Sequence, residues 1–251
     1  MAFRKILIYR GLVIKCENML RSGTVRPQYH RNLQDIAIGD FSKELELASM
    51  IPSRKNLGVD IPDRLKCLGD HGIENLSDLL AELKTPKKLK AFARTTGLPE
   101  DYLVNFRREL GSIRPKPVKL GAFPSLDAAD IMKLKEEGIT DTRQMFDNAA
   151  TGDQRRALGS RTGIPEERLL EIAKLSDVSR IKWVGANFAR VLVDSGYDTA
   201  ENVAKADHRQ LYEAVIAVNE KKHYYKGKIG KNDMKLCVLA AGNVPPGIVL
   251  S

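Results

Sequence analysis

Thr96-Gly97-Leu98-Pro99-Glu100 returns 66 residues later as Thr162-Gly163-Ile164-Pro165-Glu166, and this return decides the fold. The same offset carries Gly72-Ile73 onto Gly138-Ile139. It also places Leu65, Leu68, Leu80, Ala91, Phe92 and Leu103 on Ile131, Leu134, Phe146, Ala157, Leu158 and Leu169 without a gap. Glycines, a proline and apolar positions keep one register, so residues 57–175 hold two copies of one unit. Each copy reads as about four short helices. The first ends at the Gly-Ile pair, where glycine takes the left-handed conformation that closes a helix. The second is entered at Asn75 or Thr140, both able to cap. A third, Pro86–Thr95 or Asp153–Thr162, again stops at glycine. The fourth opens with proline and acids, Pro99-Glu100-Asp101 and Pro165-Glu166-Glu167, where proline needs no donor and negative charge favours the helix dipole. Period-two runs of β-branched residues are absent, so the expected fold is all-α.

A third unit follows with a different length, since Gly196-Tyr197 lies 58 residues beyond Gly138-Ile139. It opens with Asp177-Val178-Ser179-Arg180-Ile181-Lys182-Trp183-Val184-Gly185-Ala186-Asn187-Phe188-Ala189. This stretch reads as a short helix, a tight turn at Val184-Gly185 and a second helix carrying Phe188, Val191 and Leu192. Thr199 then caps a short helix, and Asp207-x-x-Gln210 forms a capping box before Leu211–Val218. The loop from Asn219 to Asn232 carries five lysines, two tyrosines and two glycines. A last helix, Asp233–Ala241, ends at Gly242, and Pro245-Pro246-Gly247 leads to an apolar tail.

The net charge of +9 is unevenly spread. Residues 1–34 carry +6, residues 35–175 are neutral and residues 176–251 carry +3. A protein that coats DNA through its whole surface would be basic throughout. Residues 1–50 read as a basic N-terminal extension, followed by units at 51–118, 119–176 and 177–251. Within the extension, residues 1–20 leave three readings open: an amphipathic segment docked on a partner or on the chain itself, an organelle transit peptide, or a nucleic-acid arm. A single helix is expected between Leu33 and Met50. Cys16, Cys67 and Cys237 are scattered and odd in number, which argues against a disulfide framework and for a reducing compartment such as the cytoplasm. The four histidines are equally dispersed, so no metal ligand set is expected, and no apolar run is long enough to span a membrane.

The stretch Arg180–Gly196, with Thr199, Asn219-Glu220-Lys221-Lys222 and the closing helix, resembles a helix-hairpin-helix domain of a small family of unknown function. The resemblance covers roughly residues 57–245 and is best in the third unit. It implies tandem helix-hairpin-helix-like modules and, through the wider superfamily, DNA binding without sequence preference. In that superfamily the hairpin reads apolar-x-Gly-apolar-Gly, which lets backbone N–H groups approach a phosphate. Here Trp183 stands where the first glycine is expected and Gly185 matches the second. The corresponding sites in the first two units, near Leu57-Gly58-Val59 and Leu120-Gly121-Ala122, also lack the double glycine.

Two functions follow, neither enzymatic, since no nucleophile elbow, phosphate loop, dinucleotide fingerprint or paired acid is present. The first is sequence-independent binding of DNA or RNA. Its candidate contacts are Arg180, Lys182, Gly185 and Asn187 at the hairpin and Lys221, Lys222, Lys226 and Lys228 in the lysine-tyrosine segment, which combines basic and aromatic groups as single-strand binders do. The second is a scaffold or accessory subunit of a larger protein assembly, with the helical repeats and Trp183 as the interface. No cofactor is called for by either.

Overall fold

The computed structural model describes residues 27–250, and in that span every regular element is helical. Unit 1 contains α1 (Ser42–Ser49), α2 (Ile61–Asp70), α3 (Leu76–Glu82), α4 (Pro86–Thr96) and α5 (Glu100–Ile113). Unit 2 contains α6 (Ala128–Glu136), α7 (Thr142–Ala149), α8 (Gly152–Thr162) and α9 (Glu166–Val178). Unit 3 contains α10 (Ala186–Asp194), α11 (Ala200–Ala204), α12 (His208–Lys222) and α13 (Lys231–Ala241).

The recurrence seen in the sequence is a recurrence of local geometry. Gly72, Gly138 and Gly196 have φ of +82°, +77° and +85°. The next residue in each case, Ile73, Ile139 or Tyr197, donates its N–H back to the carbonyl of Leu68, Leu134 or Leu192 at 3.1, 2.8 and 3.0 Å. This is the glycine-closed helix end that satisfies carbonyls left over by the last turn. Three residues further on, Asn75, Asp141 and Thr199 cap the next helix through their side-chain oxygens. In unit 2 the cap is Asp141 rather than Thr140, whose own N–H is bonded by the Gln144 Oε1 at 2.8 Å. The Thr-Gly pairs are explained in the same way. Thr96 and Thr162 each donate a hydroxyl to the preceding turn, to the Phe92 and Leu158 carbonyls at 2.8 Å. Each also accepts the N–H two residues on, from Leu98 or Ile164 at 3.2 Å, so one side chain holds the helix end and the exit of the chain.

The start of unit 1 lies earlier than expected. Ala37 bridges Asn75 just as Lys119 bridges Asp141. Each bridge leads straight into a 3-10 turn, Ile38–Phe41 or Leu120–Ala122. Ile38-Gly39-Asp40-Phe41 is therefore the partner of Leu120-Gly121-Ala122-Phe123, and Leu57-Gly58-Val59 is not. Between the turn and α2, unit 1 holds an insertion made of α1 and the 3-10 turn Pro52–Gly58. Residues 33–50 are consequently core, not extension, and they form short turns and α1 instead of one helix: Leu33, Ile36, Ile38, Phe41, Leu45 and Ala48 are all buried. The transit-peptide and arm readings of residues 1–20 fall outside the described residues.

Two cores result. One joins residues between Leu33 and Leu110, with Phe41 and Phe106 stacked at 5.7 Å. The other runs from Leu120 to Ala241 and is shared by units 2 and 3. A small satellite of Tyr29, Phe146 and Ala150 ties the segment before unit 1 onto α7, and the Tyr29 and Thr142 hydroxyls meet at 2.5 Å. His30 beside it is pushed down to a pKa of about 4 by burial and by Arg114, Arg143 and Arg180. Between that value and the ordinary 6.5, the unfolded chain holds a proton that the folded chain does not. Stability should therefore be full above pH 6.5 and fall as the pH drops toward 4. Urea midpoints measured across that interval should fall less steeply for His30→Gln.

Candidate functional site

Asp177 and Val178 end the 13-residue α9, so the hairpin is α9, a loop at residues 179–185 and α10, without a separate short helix before the turn. Ile181 and Val184 are buried and fix the loop from beneath. Gly185 precedes α10 with φ of −94°, so the turn does not need it to be left-handed. The left-handed residue is Trp183, at φ +70°. The position keeps the backbone a glycine would supply while carrying an indole, at a cost of roughly 1–2 kcal/mol. Part of that cost is offset by cations on the ring: Lys182 Nζ lies 4.5 Å from the centroid and the Arg54 guanidinium 6.0 Å.

The two hairpin cations expected to meet phosphate are turned inward. Arg180 is 3% exposed. It donates to Asp177 at 2.5 Å, to the Gln28 carbonyl at 2.8 Å and to the Pro245 carbonyl at 3.0 Å, and it lies 4.7 Å above the Phe146 ring. Asp177 also accepts the N–H of Ala200 at 2.7 Å and of Ile248 at 3.2 Å, so one buried pair ties both ends of the described chain to α9 and α11. Gly247 is required here, because a Cβ at that position would collide with the Asp177 carboxylate and the Arg180 guanidinium. Lys182 is paired with Glu109 of α5, which also receives Arg54 and is itself fully buried. Burial pulls the Lys182 pKa down to about 7; Glu44 opposes the shift, while Arg54 and Arg31 add to it. The Glu109 carboxylate at its Nζ makes an ammonium tenable in that place. Arg180 and Lys182 thus bind unit 3 to the chain ends and to unit 1, and both are buried, with Lys182 reaching the groove only beneath the Trp183 ring.

What does face outward is a groove of about 660 Å³. One wall is the hairpin itself, with Trp183, Gly185, Asn187 and Phe188. The buried Ile229, Met234 and Cys237 form its floor, and Ile51 of unit 1 also lines it. Trp183 is 41% exposed, a large apolar surface for a solvent-facing residue. The loop above the groove is held in shape: the Asn219 side chain accepts the Tyr225 N–H and donates to its carbonyl, both at 2.9 Å, and Tyr225 meets Phe188 edge-on at 5.4 Å. Lys226 and Lys228 are exposed on this loop, and Lys228 lines the groove. Lys221 and Lys222 lie on the last turn of α12 rather than in the loop, which begins at His223 with φ +54°. Asn187 is exposed, and no side chain caps the start of α10.

Cys237 is buried, which raises its thiol pKa to about 12. In the native chain it should resist iodoacetamide while the half-buried Cys67 reacts, and denaturant should abolish the difference. Mass spectrometry of the alkylated peptides reads this directly. Among the described residues no group of His, Cys, Asp and Glu is placed to hold a metal ion, and no helix is long and apolar enough to cross a membrane.

Residues 124–234, which cover most of units 2 and 3 and the hairpin, match a family model described as a domain of unknown function (DUF4332). No curated protein and no solved structure matches the chain. The groove residues Ile51, Ile229 and Met234 and the buried acids Glu109 and Asp177 carry no signature of their own in the sequence. Only the apolar residues inside the lysine-tyrosine segment hint that this segment packs against something.

Proposed function

We propose that the chain is a non-catalytic interaction module, a scaffold or accessory subunit that holds a protein partner in the groove beside Trp183. The observation that carries this reading is the division of labour within one loop. Its cations, Arg180 and Lys182, are consumed by buried carboxylates, and its exposed face is an indole above an aliphatic floor. A phosphate-gripping hairpin of the helix-hairpin-helix type needs the opposite arrangement, with backbone and cations outward. A protein anchor is supported by a concave apolar site with an exposed aromatic residue in its lining and lysines beside it.

Trp183→Gly is the variant of choice for a test, because glycine suits φ +70° and the fold should stay intact. Affinity purification from the native cell with the parent chain and with this variant should recover a stoichiometric protein that the variant loses. Recovery unchanged by the variant, or abolished by nuclease, contradicts the reading. The nucleic-acid reading survives in a narrower form, resting on Tyr225, Lys226 and Lys228 at the mouth of the groove. It requires binding to single-stranded oligonucleotides that weakens steeply with salt.

A further inference from the structure

Taking the groove as a protein-docking site, we infer that its occupant is an amphipathic helix whose apolar face is bordered by aspartate and glutamate. The shape of the occupant follows from what surrounds the groove. The walls are helices and loops, and the described residues offer no sheet edge to which an extended peptide could add as a strand. A volume of about 660 Å³ over an aliphatic floor fits a few large apolar side chains, the anchors that one helix face presents at positions i, i+3 or i+4, and i+7.

The charge of the occupant follows from the rim. Lys221, Lys222, Lys226, Lys228, Lys231 and Lys235 are all exposed along α12, the loop and α13. Among the described residues none of the six forms an ion pair, and Lys231 lies 5.6 Å from the Tyr212 ring centroid. Of the six, Lys228 lines the groove, Lys226 follows the groove-lining Tyr225 and Lys235 stands between the groove-lining Met234 and Leu236. Asp233 also lines the groove and already accepts the Gly230 N–H at 2.8 Å. Unpaired lysines therefore outnumber acids beside an apolar floor. Acidic residues flanking the apolar face of a helix complement both features at once. A basic occupant is disfavoured by the same lysines, and that includes the chain's own basic first 26 residues.

Trp183 is the chain's single tryptophan, so its emission reports the groove directly. Three helical peptides serve as probes: one with leucine and phenylalanine at the anchor spacing and glutamate beside them, one with lysine in place of each glutamate, and one with serine in place of the anchors. The glutamate peptide should shift Trp183 emission saturably and bind about tenfold more tightly than the lysine peptide, with the advantage shrinking at high salt. The double variant Lys226→Glu/Lys228→Glu should reverse that order. Equal binding of the glutamate and lysine peptides overturns the acidic occupant and leaves the protein-docking groove standing. No saturable shift with any peptide, the helical circular dichroism being intact, overturns both. Saturation by oligo(dT) in place of the peptides also overturns both, in favour of single-stranded nucleic acid.

Discussion

Asp177→Ala is expected to lower the unfolding free energy by about 3–5 kcal/mol. The carboxylate is 1% exposed and makes three bonds that nothing else can replace: with Arg180, with the N–H that opens α11 and with the N–H of Ile248 in the tail. Without it, Arg180 remains buried over Phe146 with no counter-charge, and two backbone donors lose their acceptor. Urea unfolding followed by circular dichroism measures the loss. The double variant Asp177→Ala/Arg180→Met removes the stranded charge together with its partner, and should recover a large part of the deficit. A single variant within 1 kcal/mol of the parent would mean that the pair is not the tie between the chain ends and the repeats.

Glu109→Ala should cost a similar amount, about 3–5 kcal/mol, and should change the form of the transition as well. Among the described residues Glu109 is the acid that both Arg54 and Lys182 touch, and it is fully buried. Its removal leaves two cations facing each other at the junction of the cores. The core around residues 33–110 and that around 120–241 are otherwise separate clusters. A single transition is expected for the parent, and in the variant it should split into two or show a reduced denaturant slope. Glu109→Gln keeps the shape and one acceptor and should fall between the two.

The physics of these pairs explains which parts of the molecule were legible in the sequence. Helix ends are local: Gly72, Gly138 and Gly196, and the caps Asn75 and Thr199, act on backbone groups within a few residues, so their spacing alone gives the all-α units. The insertion in unit 1 was not legible, because the equivalence of Ile38-Gly39 with Leu120-Gly121 depends on bridges to Asn75 and Asp141 across the fold. The candidate site divides along the same line. The left-handed backbone at Trp183 agrees with the glycine expected there, since a tight hairpin imposes it on any residue. The fate of Arg180 and Lys182 depends on Asp177, and on Glu109, which is 73 positions away from Lys182 in the chain. A basic residue at a turn looks the same in sequence whether its partner is a phosphate or a buried carboxylate.

On the proposed reading a protein, and not a nucleic acid, meets the exposed face of this hairpin. A photo-crosslinking amino acid in place of Asn187, which is exposed and lines the groove, tests this in the native cell. A discrete protein adduct is expected, one that survives nuclease and disappears when Trp183→Gly is added. A nuclease-sensitive adduct, or the same adduct with and without Trp183, would contradict it.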